Sequence, residues 1–383
     1  MASTERPHAP PSLPMEVIGE ILERLPVKHL LRLRCVCKSW KALVSDPGFA
    51  KNQVRRSPTA TRLIANTTTR PPLCDNAVSL RAFRLRSLFN DGTFVASELN
   101  PPLPNPRGKP HQIVASCDGI ICFRVLENPN FLVLWNPTIA KFKALPPLAE
   151  HTLGDMRFGF GYDSSSRTYK LVWVLSSRRR QTQANVFALG NGTDTWTTIR
   201  GFPSSHLYRD SGKFVSGSLN WLTSGASSSR VIVSLDLRNE SCGEVPQPDY
   251  GGVVLVNLTL CVLRDCLSLQ AFSHTFVDVW LMREYGSKES WSHLFRLSFQ
   301  VPNFKNTKVL FICEDGQVLL LHRFGRLIVY NPVNATFKII KDIAYCESSQ
   351  IGRSPYYGSG WTTSVVSVVW QFFVWYIIAV SGH

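Results

Sequence analysis

The chain has 383 residues, 44% hydrophobic and 18% charged. That balance excludes a disordered chain and allows a substantial core in two or three domains. A formal net charge of +15 favours acidic proteins, nucleic acid or anionic membrane as partners, but the tight basic runs are only Arg55–Arg56 and Arg178–Arg180, which read as solvated loops rather than phosphate grips.

The opening residues, MASTERPHAPPSLPMEV, lack the continuous apolar core of a signal peptide. The ten cysteines include no CxxC pair and no zinc-module spacing with histidine. Both observations fit a reducing compartment, cytoplasmic or nuclear, where cysteines serve as small buried hydrophobes.

Residues 12–49 are helical in pattern. Ser12 offers an N-cap and Pro14 a first-turn proline. Val17, Ile18, Ile21, Leu22 and Leu25 form an apolar stripe that Pro26 ends. A second short helix carries Leu30, Leu31 and Leu33. A third is expected to run through Val36, Trp40, Leu43 and Val44 on one face and to close at Ser45–Pro47. Cys35 and Cys37, two apart, then fall on different helix faces and lack partners for a metal. Val36 and Leu25 are the expected core members. The apolar residues exceed what one small core can use, and the surplus signals an interface. Trp40 is its expected anchor.

Leu13–Pro14, Ile21–Leu22, Arg24–Pro26, CVCKSW at Cys35–Trp40 and the closing DPGF, in that order, resemble an F-box. The resemblance implies docking onto a Skp-type adaptor that leads to a cullin–RING ubiquitin ligase. The positions it implies are Leu13, Pro14, Ile21, Leu22, Leu25, Pro26, Leu30, Val36, Cys37 and Trp40. The alternative is that these residues form only the core of a helical cap.

Residues 53–110 read as a linker with the first β strands. NTTTRPPL and ELNPPLPNPRGKP are loops by composition. Between them LRAFRLRSLFNDGTFVA alternates apolar and polar residues, which predicts two strands about an Asn90–Asp91–Gly92 turn.

Beyond residue 110 one unit recurs: an apolar strand, a polar turn and a second strand. Its first strands centre on Leu134, Val186, Val233, Val279 and Val329, roughly 45 to 52 residues apart, a kelch-like spacing. Each unit follows a hairpin: SCDGIICF, GFGYDSSSRTYKLVWV, FVSGSLNWLT, TLCVLRDCLSLQAF and LFICEDGQVLLLH. Two hairpins per repeat make a four-stranded blade. Five blades are clear, and the strands near residues 80–97 fit a sixth. A β-sandwich or irregular all-β domain is the competing architecture. SCDGIICF, LVLWNPTIAKFKALPPL, FGFGYDSSSRTYKLV, GSLNWL and VDVWLMREYGSKESWSHLFRL resemble the F-box-associated domain of plant F-box proteins over residues 112–343. That resemblance implies recruitment of a target protein, with no residue assigned to it.

The expected fold is therefore α+β and multidomain. A small three-helix unit spans 11–52, a linker with first strands 53–110, an all-β, propeller-like domain 111–345, and a hydrophobic tail 346–383. No catalytic set, cofactor motif or metal site is expected. The nine histidines are dispersed, there is no GxSxG, and GFGYDS reads as a strand ending in a turn. Trp135, Trp196, Trp221, Trp280 and Trp291 read as blade packing rather than a stacking platform. In the tail, Trp361–Val380 holds twenty residues without a charge. It reads as a membrane anchor, a closing strand pair of the propeller, or an atypical end. The expected role is the non-catalytic substrate-recognition subunit of a Skp–cullin–F-box ubiquitin ligase. The alternative is a basic scaffold or nucleic-acid-binding propeller, tethered to membrane by its tail.

Overall fold

The computed structural model describes residues 13–25, 27–46, 49, 62–69, 77–90, 97–99, 111–125, 130–138, 140–148, 155–176, 182–190, 192, 194–203, 206–208, 210–224, 230–299, 307–322, 326–342 and 364–369. Arg55–Arg56 and Arg178–Arg180 lie outside them.

Three short helices open the described chain: α1 (Met15–Glu23), α2 (Val27–Leu33) and α3 (Lys38–Val44). Strands follow in blade order. Blade 1 holds β1 (Arg62–Thr69), β2 (Ala77–Arg84) and, after helix α4 (Leu85–Asn90), β3 (Ser97–Leu99). Blade 2 holds β4 (His111–Cys117), β5 (Ile120–Val125), β6 (Leu132–Asn136) and β7 (Lys141–Ala144). Blade 3 holds β8 (Asp155–Asp163), β9 (Thr168–Ser176), β10 (Gln183–Ala188) and β11 (Thr197–Ile199). Blade 4 holds β12 (His206–Leu207), β13 (Lys213–Val215), β14 (Ser218–Ser224), β15 (Arg230–Asp236) and β16 (Ser241–Val245). Blade 5 holds β17 (Asn257–Leu263), β18 (Cys266–Phe272), β19 (Phe276–Met282) and β20 (Trp291–Ser298). Blade 6 holds β21 (Lys308–Ile312), β22 (Val318–His322), β23 (Arg326–Asn331) and β24 (Thr336–Asp342). The last described strand, β25 (Ser364–Val369), returns to blade 1, whose order is β25-β1-β2-β3.

These six antiparallel sheets close into a six-bladed propeller rather than a sandwich. The first strands lie side by side around the centre: β25 against β4, β4 against β8, β8 against β13, β13 against β17, β17 against β21, and β21 back against β25. Six apolar clusters fill the six gaps between blades. The one that seals the ring brings Leu63, Phe83 and Leu88 of blade 1 against Leu319, Leu327 and Val329 of blade 6. Middle strands therefore bury both faces and read as continuous apolar runs, as β6 and β18 do, whereas the outermost strands β7 and β16 are largely exposed. All five expected strand centres fall in the third strand of a blade, β6, β10, β15, β19 and β23, and each expected hairpin is that blade's first pair.

Turn chemistry explains the tight hairpins. Asp118–Gly119, Ser216–Gly217 and Arg264–Asp265 each form a two-residue loop with positive φ at both positions. Such loops match the twist of the paired strands. The GFG of β8 serves close packing. A Cβ on Gly159 would stand 2.7 Å from the Trp221 ring, and one on Gly161 would stand 2.4 Å from Phe214.

Two expectations change here. Residues 85–90 are helix α4, not the first strand of a hairpin. Leu85 and Leu88, three apart, enter the ring-closing cluster, and Phe89 lies 6.3 Å from Phe311 of blade 6. Asp91 and Gly92 lie outside the described residues. In the tail, Ser364–Val369 supplies a single closing strand, paired antiparallel with β1 from Arg62↔Val369 to Asn66↔Ser364. The remainder of Trp361–Val380 lies outside the described residues. Among those described, no helix is long and apolar enough to cross a membrane.

Blades 3 and 4 are tied by a buried charge network. Lys170 of β9 reaches Asp163 at 3.4 Å, Glu240 at 2.9 Å and the Leu237 carbonyl at 2.6 Å. Burial pushes the Asp163 carboxyl up, but hydrogen bonds from Ser166 and the Ser165 amide, with the Lys170 charge, hold it below the usual carboxylate range. A second recurrent tie joins consecutive blades. Trp196 donates its indole N–H to the Pro146 carbonyl at 3.0 Å, and Trp291 donates to the Pro246 carbonyl at 2.8 Å.

Candidate functional site

Helix α1 carries two apolar stripes about one residue apart around its axis. Ile18, Leu22 and Leu25 (i, i+4, i+7) face inward, with Leu22 2% exposed. They pack on Leu30, Val44 and Phe49, with Leu33, Trp40 and Leu43 partly buried around them. Val17 and Ile21 form the outward stripe, extended by Leu13 and Met15; these four side chains are 41% to 58% exposed. Pro14 stands at the N-cap in an extended conformation without a side-chain cap bond, and Ser12 lies outside the described residues. Glu20 and Arg24 pair at 3.6 Å on the solvated side.

The segment after α2 departs from the expected helix. Arg34–Val36 form a turn, with the Val36 amide donating to the Leu33 carbonyl at 3.1 Å. Cys37 is extended and caps α3, its Sγ accepting from the Trp40 amide at 3.4 Å. Hydrogen bonds from Ser39 and then from the Trp40 amide lower the Cys37 thiol pKa. The third helix thus begins at Lys38 and does not contain Val36. Val36 is 61% exposed at the tip of the turn, which corrects its expected place in the core. The turn breaks helical phase, so Val36 no longer shares a side with Trp40, and Cys35 and Cys37 sit in the turn rather than on helix faces.

The ten expected positions therefore divide. Leu13, Ile21 and Val36 are exposed apolar groups, and Pro14 and Cys37 are exposed beside them. Leu22 and Leu30 are core, Leu25 and Trp40 half-buried against it, and Pro26 lies outside the described residues. Sequence reasoning missed Met15, whose exposure follows from the same outward phase.

Residues 11–52 match a family model described as the F-box domain, and residues 76–374 match one described as the F-box associated beta propeller domain. The chain belongs to the plant F-box proteins that carry this propeller. An F-box/kelch-repeat protein of Arabidopsis thaliana is 33% identical over 362 residues, covering 91% of this chain and 96% of the relative. Another F-box protein of the same plant is 26% identical over 370 residues, covering 85% and 87%, and its F-box protein CPR1 is 27% identical over 374 residues, covering 88% and 86%.

In the F-box propeller the named tryptophans are packing residues. Trp135, Trp221 and Trp291 are buried in inter-blade clusters, and Trp196 and Trp280 pack against such clusters. Among the described residues no group of three or more His, Cys, Asp or Glu could hold a metal ion. Burial raises the thiols of Cys117 and Cys122 and pushes those of Cys261 and Cys313 up to about 11 and about 12, which leaves them protonated and poorly nucleophilic at neutral pH. The buried carboxylate Asp278 is held by Arg296 in two bonds, 2.7 and 2.8 Å, and by His293 at 3.0 Å.

A more open polar cluster lies where the starts of β8, β13 and β21 converge at one end of the ring. The innermost strand of blade 4 is split there: β12 pairs with the end of β14 and β13 with its start. The two pairings differ in register, and the Trp221 indole fills the space beside Gly212, where a Cβ would stand 2.5 Å from the ring. The looped segment places the Asp210 carboxylate 3.0 Å from Lys308 Nζ at the start of β21, two blades away. Arg157, at the start of β8, donates to the Tyr208 carbonyl at 2.8 Å. Arg230 donates to the Tyr208 hydroxyl at 3.3 Å and lies 5.6 Å from that ring's centroid. These residues are scattered over 150 positions, with no local motif to announce them.

Proposed function

We propose that this protein is the substrate-recognition subunit of a Skp–cullin–F-box ubiquitin ligase, working in the cytoplasm or nucleus. The helical unit within residues 11–52 docks the adaptor, and the propeller holds the target. The observation that carries the reading is the double stripe of α1. A unit with its own buried core at Leu22, Leu30 and Val44 still leaves Leu13, Met15, Val17, Ile21 and Val36 exposed. Exposed apolar residues gathered on so small a unit support a protein interface. Ubiquitin transfer then proceeds by proximity, with the nucleophiles supplied by other subunits. This chain contributes geometry and no catalytic group.

Co-expression with a Skp-type adaptor tests the reading. A stoichiometric complex is expected, lost on deleting residues 1–52 and on the Ile21→Asp, Val36→Asp double substitution. A propeller fragment that retains the adaptor would overturn it.

A further inference from the structure

Among the described side chains, the cluster at the converging strand starts carries an excess of positive charge. Lys308 Nζ pairs with the Asp210 carboxylate at 3.0 Å, and the Lys213 and Arg157 charges act on that carboxylate as well. Burial lowers the Lys213 ammonium pKa; Asp210 opposes that effect and Lys308 adds to it. Two ammonium groups thus share one carboxylate and repel each other. The Lys308 side chain is 49% exposed and reachable from solvent. Arg230, fixed by the Tyr208 hydroxyl and the Val256 carbonyl at 2.7 Å, adds a further cation at the rim.

We propose that this end of the propeller is the target-recognition site and that it takes an acidic segment of the target, with one anionic side chain pairing with Lys308. The proposal rests on the substrate-receptor reading above. An incoming anion adds negative charge to the described cations, and Asp210 competes with it from within. Both ends of such a contact are partly desolvated, where charge complementarity sets register and partner choice. The chain's net charge of +15 assists encounter with an acidic partner.

The test uses the full chain purified with its adaptor and a fluorescent ten-residue peptide of alternating Glu and Ala. Its Gln counterpart, a phosphoserine version, inorganic phosphate and a single-stranded oligonucleotide serve as further probes. Lys308→Met should weaken the Glu peptide about tenfold, as truncating one member of a charge pair does. Lys308→Arg should hold affinity within about threefold, and Asp210→Asn should tighten it several-fold by removing the internal competitor. A merely structural role for Asp210 would not give that gain. The Gln peptide should not bind. A tighter phosphoserine peptide would identify the anion as a phosphorylated side chain, within the proposal. Equal binding by wild type and Lys308→Met, no gain in Asp210→Asn, a Lys308-dependent oligonucleotide without peptide binding, or inorganic phosphate binding alone would each overturn it. Lys308 and Asp210 lie on the surface, so both variants should fold, which their melting temperatures check. Adaptor co-purification is read on the same samples: its loss in wild type counts against the receptor reading, and loss of the peptide alone against this site.

Discussion

The division between exposed and buried residues in the helical unit yields a sharp test. Val36→Ala removes two methyl groups from a side chain that is 61% exposed, and Ile21→Ala removes three carbons from one that is 45% exposed. In the free protein these truncations should change stability by about 0.5 kcal/mol or less, since little is packed against the lost atoms. If the adaptor covers the exposed fraction, each lost carbon costs ~0.8 kcal/mol scaled by that fraction, giving ~1 kcal/mol for each residue. Together they should weaken binding by ~2 kcal/mol, about thirtyfold in Kd, if the two sites add. Leu22→Ala, at 2% exposed, should instead cost ~2–5 kcal/mol of stability. Trp40→Ala is expected to weaken adaptor binding by ~2 kcal/mol or more, but its ring packs on the same core, so it should lower the melting temperature as well. Titration calorimetry against purified adaptor, with thermal melts of each variant, separates the two effects. A double variant that binds within about twofold of wild type would refute the outward stripe as the docking surface.

Three further outcomes follow from the propeller. Trp291→Phe leaves the Pro246 carbonyl without its indole donor, so the propeller should lose ~1–3 kcal/mol in denaturant unfolding, with little change in secondary structure by circular dichroism. The Asp163 carboxyl has a depressed folded-state pKa, so its contribution is present above the unfolded value of ~3.9 and is lost as pH falls through the folded value. Asp163→Asn should therefore lower the melting temperature at neutral pH, by a margin that shrinks on acidification below about pH 4; a margin constant from neutral pH to below that point would contradict the assignment. Deleting residues 364–383 removes β25, and hydrogen exchange should show loss of protection for β1 amides from Arg62 to Asn66 while blades 3 and 4 keep theirs. Unchanged β1 protection would mean that the strand does not close the ring.

Much of the β architecture was legible because propeller repeats impose local constraints. A third strand must be apolar on both faces, and a two-residue hairpin must accept positive φ. Those demands mark Leu134, Val186, Val233, Val279 and Val329, and the Asp118–Gly119 and Ser216–Gly217 turns, in the sequence itself. Arg264–Asp265 makes the same turn without glycine and is legible only from its flanking strands. The helical unit was legible as a set of residues but not as a surface. Whether Val36 lies inward depends on the helix break at Arg34–Val36, and neither glycine nor proline marks that break. The cluster around Asp210 was not legible at all, because it depends on a split strand and on Trp221 filling the gap, a packing event between distant segments.

Six residues of the uncharged tail show how topology decides what local pattern leaves open. Twenty residues without a charge suit a membrane helix by length and a strand by composition. Blades 2 to 6 are each complete from consecutive strands, but blade 1 has only β1, β2 and β3 from the N-terminal side. Without a fourth strand its inner edge would expose unpaired backbone groups between β4 and β21, at the centre of the ring. A strand that fills that place is flanked by β1 within its sheet and by β4 and β21 on either side. Such a position tolerates β-branched and small polar residues and no charge, the character of SVVSVV at Ser364–Val369. The absence of charge at Ser364–Val369 is accounted for by an innermost strand.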